Sequence, residues 1–323
     1  MNRFFAKAVV IATILTSMGS CVKHSSTSVN ELQADDKPAI ELSGLRDSLQ
    51  AVADRASGEV GIALIMWSGD TLTVNNTDTY PLMSVFKLHQ ALAVCHDFEK
   101  RGISIDTVIS IDRQSLNPET WSPMLKEKAE DEIRISVREL MQYTLTKSDN
   151  NASNLMFDRF VPVADADSFI ATLVPRDGFQ IRFRESDMQK DHALSYENHT
   201  SPLSAAMLIK KVYADSILSG ANLEFVRETL FGCATGVDRI SLPLSEIEGI
   251  RIAHKTGSGY RDSKGRLIAH NDVAYIMLPD GRSYALAVFV SDFEGDEKGA
   301  SEIISEISSK VYGFIGATDS VTD

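Results

Sequence analysis

Ser84 and Lys87 stand three positions apart at the start of an apolar run. On a helix that spacing puts a hydroxyl and an amine above the same face. A serine alkoxide is out of reach near neutral pH without a base, and a lysine amine held in a dry cleft helps remove the proton. The start of a helix also offers unpaired backbone N–H groups and a dipole that favours developing negative charge. Alone, such an S-x-x-K pair arises by chance roughly once in a chain of this length. Two further clusters give it weight. Ser148-Asp149-Asn150 brings a second hydroxyl, able to relay a proton to a departing nitrogen, and an amide able to hold a substrate amide. The same residue types are the favoured helix caps, so capping stands as the alternative reading. Lys255-Thr256-Gly257 ends an apolar stretch. Lys255 and Thr256 offer a cation and a hydroxyl for a substrate carboxylate, and Gly257 lets backbone approach a ligand closely. The Ser258 backbone N–H, with that of Ser84, would form a two-donor oxyanion hole. In this order the three clusters equip a chain to open a strained amide through a covalent acyl-serine.

These residues need elements to hold them. Leucines at helical spacing predict a helix over 39–56, and the segments 60–67 and 71–74 predict a hairpin around Ser68-Gly69-Asp70. A helix is expected over 81–101, closed by Gly102. The chain then reads as mostly helical to about residue 231, with helices over 137–145, 152–160, 202–218 and 223–230. Strand character returns at 250–255, 272–278 and 284–290, and an amphipathic helix closes the chain over 297–314. Strands from both ends must therefore pair across a long insertion. That predicts an α/β fold: an antiparallel sheet flanked by helices (about 38–80 and 232–316), with an inserted all-α lobe (about 81–231) and a cleft at the seam.

The 323 residues allow a substantial core, and 43% hydrophobic with 24% charged residues is ordinary for a globular protein. A net charge of -13 argues against nucleic acid and anionic membrane surfaces as partners. Residues 1–20 have the form of an export leader, with Arg3 and Lys7 ahead of an apolar stretch too short to span a bilayer and small residues before Cys21. Cys21 follows as in a bacterial lipoprotein signal, and an ordinary signal peptide with an incidental cysteine is the alternative. A lipid there would make residues 21–37 a polar tether, leaving a tail at 317–323. Cys95 lies on an apolar helical face and reads as a buried, inert thiol, although an oxidising compartment permits a bridge to Cys233. No C-x-x-C, H-x-H or H-E-x-x-H spacing occurs, so neither a metal nor another cofactor is expected.

The combination of S-x-x-K, S-D-N and K-T-G is shared by class A β-lactamases and penicillin-binding proteins. Over about 38–316 the chain resembles class A serine β-lactamases, and in detail the branch of PER- and CfxA-type cephalosporinases. Trp121-Ser122-Pro123 resembles the segment whose aromatic lines the cleft mouth. Arg184 to Gln189 resembles the family's Ω-loop, placed so that Glu185 precedes Pro202 by 17 residues. Thr235 to Arg239 resembles a segment whose arginine helps bind the substrate carboxylate. The resemblance implies Ser84, Lys87, Ser148 and Glu185 as catalytic residues, with Glu185 activating the hydrolytic water. It implies Asn150, Lys255, Thr256, Gly257, Ser258, Arg239, Trp121 and Gln189 as substrate-binding residues. The chain departs from the pattern in three places. Ser186 replaces the usual proline, Gln189 replaces the asparagine that helps hold the water, and Phe183 and Asn198 occupy the positions of the Arg–Asp bridge at the loop neck.

The expected activity is hydrolysis of penicillins and cephalosporins, with a lean to cephalosporins, by a monomeric periplasmic enzyme that a lipid on Cys21 would anchor. A penicillin-binding peptidase, or a non-catalytic sensor that stays acylated, is the alternative. The Glu-bearing loop at 184–189 discriminates, since only the hydrolase needs it.

Overall fold

The computed structural model describes residues 41–319. The leader at 1–20, Cys21, the whole tether to residue 37 and residues 320–323 lie outside the described residues. In chain order the regular elements begin with α1 (Ser43–Arg55), β1 (Glu59–Ile65), β2 (Thr71–Val74), β3 (Tyr80–Pro81) and α2 (Phe86–Arg101). They continue with β4 (Val108–Asp112), α3 (Pro123–Glu127), β5 (Glu132–Ser136), α4 (Val137–Thr146), α5 (Asn150–Arg159) and α6 (Val163–Ile170). Next come β6 (Phe179–Gln180), α7 (Glu185–Lys190), β7 (His199–Thr200), α8 (Pro202–Ala214) and α9 (Gly220–Phe231). The chain closes with β8 (Arg251–Ser258), β9 (His270–Met277), β10 (Ser283–Ser291) and α10 (Glu297–Asp319).

The main sheet has the order β2-β1-β10-β9-β8. Its pairings are antiparallel, so the first and last parts of the chain meet where β1 pairs β10. Both faces of this sheet are covered, which is why its strands read as apolar runs. Along β10, Leu286 and Val288 pack with Leu49 of α1 and with Ile304 and Ile307 of α10. Their neighbours Ala285, Ala287 and Phe289 point the other way, into the core shared with α2 and α8. A side-chain period of two thus divides one strand between two cores.

The segment from 81 to 231 is largely helical, with departures from the sequence expectation. β4 and β5 form a two-stranded ribbon within it, and β3, β7 and β6 a small second sheet. The helix expected from residue 81 begins instead at Phe86, after a 3-10 turn at Met83–Val85. The last helix runs past 314 to Asp319, so the first residues of the expected tail are helical.

Candidate active site

The nucleophile turn is held by the sheet. Met83, which precedes Ser84, has φ 43°, an uncommon region for a residue with a side chain. Such a conformation persists only where the surroundings enforce it. Asn271 on β9 donates through Nδ2 to the Pro81 carbonyl at 2.7 Å, and the Asn198 carbonyl accepts the Leu82 N–H at 2.8 Å. Gly257 lets β8 approach the same turn. A Cβ there would lie 2.6 Å from the Leu82 carbonyl oxygen. The glycine thus serves backbone packing against the turn, where the sequence had suggested an approach to ligand.

Lys87, one turn into the helical segment, is fully buried. Its Nζ donates to Ser84 Oγ (3.0 Å), the Ser148 carbonyl (2.8 Å) and Asn150 Oδ1 (2.6 Å), and lies 3.4 Å from Ser148 Oγ. It also forms a 2.9 Å ion pair with Glu185 Oε1, to which Ser84 Oγ donates at 3.2 Å. Ser84, Lys87 and Glu185 therefore form a closed triangle of contacts.

In Ser148-Asp149-Asn150 the cap falls on Asp149, and Ser148 and Asn150 face the cleft. Asp149 is the N-cap of α5, accepting from Ala152 N, and its buried carboxylate also accepts from Ser122 Oγ and Met124 N. Burial raises its pKa, opposed by those hydrogen bonds. Ser148, at φ 57°, is free to turn its hydroxyl into the site, where it accepts from Lys255 Nζ at 3.1 Å. Asn150 spans from Lys87 to Thr120 Oγ1, to which its Nδ2 donates at 3.0 Å.

β8 is an edge strand, and Gly259 N donates to Ala269 O. Antiparallel alternation then aims the Ser258 N–H off the free edge of the sheet. Thr256 Oγ1 meets Thr235 Oγ1 at 2.6 Å, so two hydroxyls sit together at this end of the cleft. Lys255 is fully buried, and burial, reinforced by Lys87 and Arg239, lowers its pKa to about 8 against the opposing pull of Cys233. Beneath the strand, His254 Nδ1 pairs with Asp272 Oδ1 at 3.0 Å. Although burial opposes a charge on this ring, Asp272 and the Cys233 thiol outweigh it and raise its pKa. The imidazolium in turn draws the Cys233 thiol down to about 6, again against burial. Cys95 and Cys233 are both unbridged, and burial pushes the Cys95 thiol up to about 12.

The segment carrying Glu185 is closed at its neck by Asn198. Its Oδ1 accepts the N–H groups of Arg182 (2.8 Å) and Phe183 (3.0 Å), and its Nδ2 donates to the Phe183 carbonyl at 2.7 Å. One buried amide thus closes the neck at the positions where the sequence showed no Arg–Asp pair. Ser186 N donates to Asn154 Oδ1 at 3.1 Å, tying the segment to α5.

A cleft of about 620 Å³ is lined by Ser84, Trp121, Ser148, Asn150, Glu185, Gln189, Thr256 and Ser258, among others. Trp121 is 54% exposed at its mouth, and Gln189 Oε1 accepts from Asn117 Nδ2 at 3.0 Å. Lys87, Lys255, Gly257 and Arg239 do not line it, and Arg239 lies on the far side of Gly257 and Ser258. It is 5% exposed and lies behind the wall, donating to the Gly257 carbonyl (3.1 Å), the Asn271 carbonyl (2.6 Å) and Ser258 Oγ (2.6 Å). Its guanidinium is occupied by two backbone carbonyls and the Ser258 hydroxyl, so within the site it reaches the cleft through Ser258. Sequence reasoning missed Asn198, Asn271, Thr120 and the Cys233–His254–Asp272 cluster. The run His270-Asn271-Asp272 inside an apolar strand was the one signal for two of them.

Fold and site together define a serine-dependent acyl-transfer enzyme, with nucleophile, cations, carboxylate and backbone donors around one cleft. Residues 44–315 match the beta-lactamase enzyme family, and the chain belongs to it. A beta-lactamase from Phocaeicola vulgatus is 52% identical over 274 residues, covering 85% of each chain. The extended-spectrum beta-lactamase PER-1 from Pseudomonas aeruginosa is 29% identical, covering 84% of this chain and 87% of its own. Among solved structures, the TLA-3 extended-spectrum beta-lactamase superposes with a TM-score of 0.81 at 31% identity, covering 85% of this chain and 99% of its own.

Proposed function

We infer that the protein is a class A serine β-lactamase that hydrolyses the β-lactam ring through an acyl-enzyme on Ser84 and so confers resistance to these antibiotics. The carrying observation is the position of Glu185, whose Oε1 touches both Ser84 Oγ and Lys87 Nζ. A carboxylate there is needed to release an acyl group, whereas a peptidase or sensor that stalls after acylation has no use for it.

The contacts support the following sequence. Ser84 Oγ attacks the lactam carbonyl carbon as its proton passes to Glu185, while Lys87 stabilises the forming alkoxide. The carbonyl oxygen becomes negative between the Ser84 and Ser258 N–H groups. Lys255, Thr256 and Thr235 draw the substrate carboxylate to their end of the cleft. As the C–N bond breaks, Ser148 gives its proton to the leaving nitrogen and recovers one from Lys87. Acylation removes the donor that Ser84 presented to Glu185. The carboxylate passes its proton to Lys87, which has reprotonated Ser148, and then takes one from a water that attacks the ester, handing it to Ser84 Oγ as the ester C–O bond breaks. Every one of these groups comes from a single chain, which supports action as a monomer. Steady turnover of a chromogenic cephalosporin well beyond one equivalent per enzyme is the expected result, and a single burst followed by silence would overturn the hydrolase reading.

Cephalosporins stand among the proposed substrates together with penicillins. The leader-like residues 1–20 and Cys21 support export to the periplasm with a lipid anchor. A Cys21→Ser variant should then move from the membrane pellet to the soluble fraction, and identical partitioning of the two proteins would remove the anchor.

A further inference from the structure

One acid in the cleft has no place in the reaction sequence. Glu297 opens α10 and lines the cleft together with Thr235, Thr256 and Ser258. It is exposed, and its carboxylate has no hydrogen-bond or ion-pair partner among the described residues. Lys298, the cation next to it in the chain, pairs instead with Glu302 at 3.5 Å. Burial works against the charge on Arg239, and Asp272, Asp238 and Glu297 support it. Arg239 nevertheless lies behind the wall, committed to Ser258 Oγ and two backbone carbonyls. A free carboxylate thus stands at the end of the cleft that has to hold the carboxylate of a substrate. Toward that anion alone it is repulsive.

Substrate chemistry supplies what the acid would attract. On the β-lactam reading above, the ring carboxylate lies toward Lys255, Thr256 and Thr235. In a cephalosporin the carbon that bears this carboxylate is bonded to the carbon that bears the second substituent, C3. A group on C3 therefore emerges at the carboxylate end, beside Glu297, away from the acylamino group. We propose that Glu297 forms a cation-binding subsite for the C3 substituent, selecting cephalosporins that carry a pyridinium or quaternary ammonium group there.

A zwitterionic substrate then meets complementary charges in the right order, Lys255 for its anion and Glu297 for its cation. A substrate with a neutral C3 group meets only the repulsion. Because the acid is exposed, its discrimination has the modest size of a surface charge pair, and salt screens it.

The proposal rests on that reading, and a matched pair of substrates separates the two. Cephalothin and cephaloridine share one acyl side chain and differ at C3, which bears neutral acetoxymethyl in the first and cationic pyridiniomethyl in the second. The ratio of their kcat/KM values, cephaloridine over cephalothin, cancels the acyl group and the common carboxylate. It should fall roughly threefold in Glu297→Gln, the size of an exposed ion pair, and further in Glu297→Lys. In wild type it should approach the Glu297→Gln value as salt is raised to about 1 M, where the screening length is about 3 Å. A purely structural role would lower both rates together and leave the ratio in place. A ratio within about 1.5-fold of wild type in both variants, or one that salt does not move, overturns the proposal. Turnover of both substrates with an unmoved ratio removes the subsite alone. Turnover of neither by wild type would overturn the reaction reading itself, and the proposal with it.

Discussion

Lys87 and Glu185 form a 2.9 Å ion pair in which the lysine side chain is wholly buried and the carboxylate is 12% exposed. Removing one member of a buried pair typically costs about 3–5 kcal/mol, because the other is left uncompensated. Here Lys87 keeps Ser84 Oγ, the Ser148 carbonyl and Asn150 Oδ1 as acceptors. The cost of losing Glu185 should therefore fall below that range, and its chemical effect should dominate.

Glu185→Ala is accordingly expected to fold and, with Lys87 Nζ left 3.0 Å from Ser84 Oγ as the remaining base, to acylate more slowly than wild type yet to release product more slowly still. General-base assistance is worth about 10²–10⁴-fold, so kcat should fall by that order while an acyl-enzyme accumulates on Ser84. Intact-mass spectrometry during turnover reads this directly. Unchanged steady-state turnover would remove Glu185 from the mechanism and move attention to Asp187 or Asp191.

The site was legible where chemistry lies along the chain and illegible where it lies across it. Ser84 and Lys87, or Lys255 and Thr256, are neighbours in sequence, and their roles follow from residue type and the element they sit on. Asn198 is different. Its amide reaches Arg182 and Phe183, and its carbonyl the turn before Ser84, contacts that no local pattern announces. The absence of an Arg–Asp bridge was visible at Phe183 and Asn198, but not what closed the loop in its place. In the fold, the period of apolar residues gave the main strands and long helices. It gave no warning of the β4–β5 ribbon, whose two strands are short and separated by helix α3.

Asn198→Ala follows from that contact set. Two N–H groups and a carbonyl lose their partner in a fully buried position. Unsatisfied buried groups cost about 1–3 kcal/mol each, partly relieved by relaxation or water, so a total of about 2–3 kcal/mol is expected. The melting temperature should drop by on the order of 5 °C. Because the neck positions Glu185, kcat should fall together with stability, whereas acylation by Ser84 survives. A variant with wild-type melting and turnover would make Asn198 a bystander.

Arg239 lies behind the cleft wall, and on the proposed reading it acts through Ser258. It orients Ser258 through a 2.6 Å bond to Oγ and braces the Gly257 and Asn271 carbonyls. Arg239→Ala should raise KM more than it lowers kcat, since positioning at the carboxylate end bears on ground and transition states alike. Arg239→Lys should rescue little, because one ammonium cannot reproduce the guanidinium fork across three acceptors. Full recovery of KM by lysine would show that charge alone is required.

Lys255 gives a pH dependence with a definite sign. Burial holds its pKa near 8, below the ordinary lysine value of 10.5. On the proposed role of Lys255 in holding the substrate carboxylate, its cation is present below about pH 8 and lost above it, so KM should climb as pH rises through that point while kcat changes less. Cys233 tests the cause. Its thiol is drawn down to about 6 by His254, so it is anionic at pH 7 and its negative charge supports the Lys255 cation. Cys233→Ala removes that support, and the alkaline rise in KM should move to lower pH. Independently, iodoacetamide at pH 7 should label Cys233 ahead of Cys95, whose thiol stays protonated in the core. A rise in KM at the same pH in Cys233→Ala and wild type would show that the thiolate exerts no hold on Lys255. Equal labelling of the two cysteines would show that Cys233 is not ionised at all.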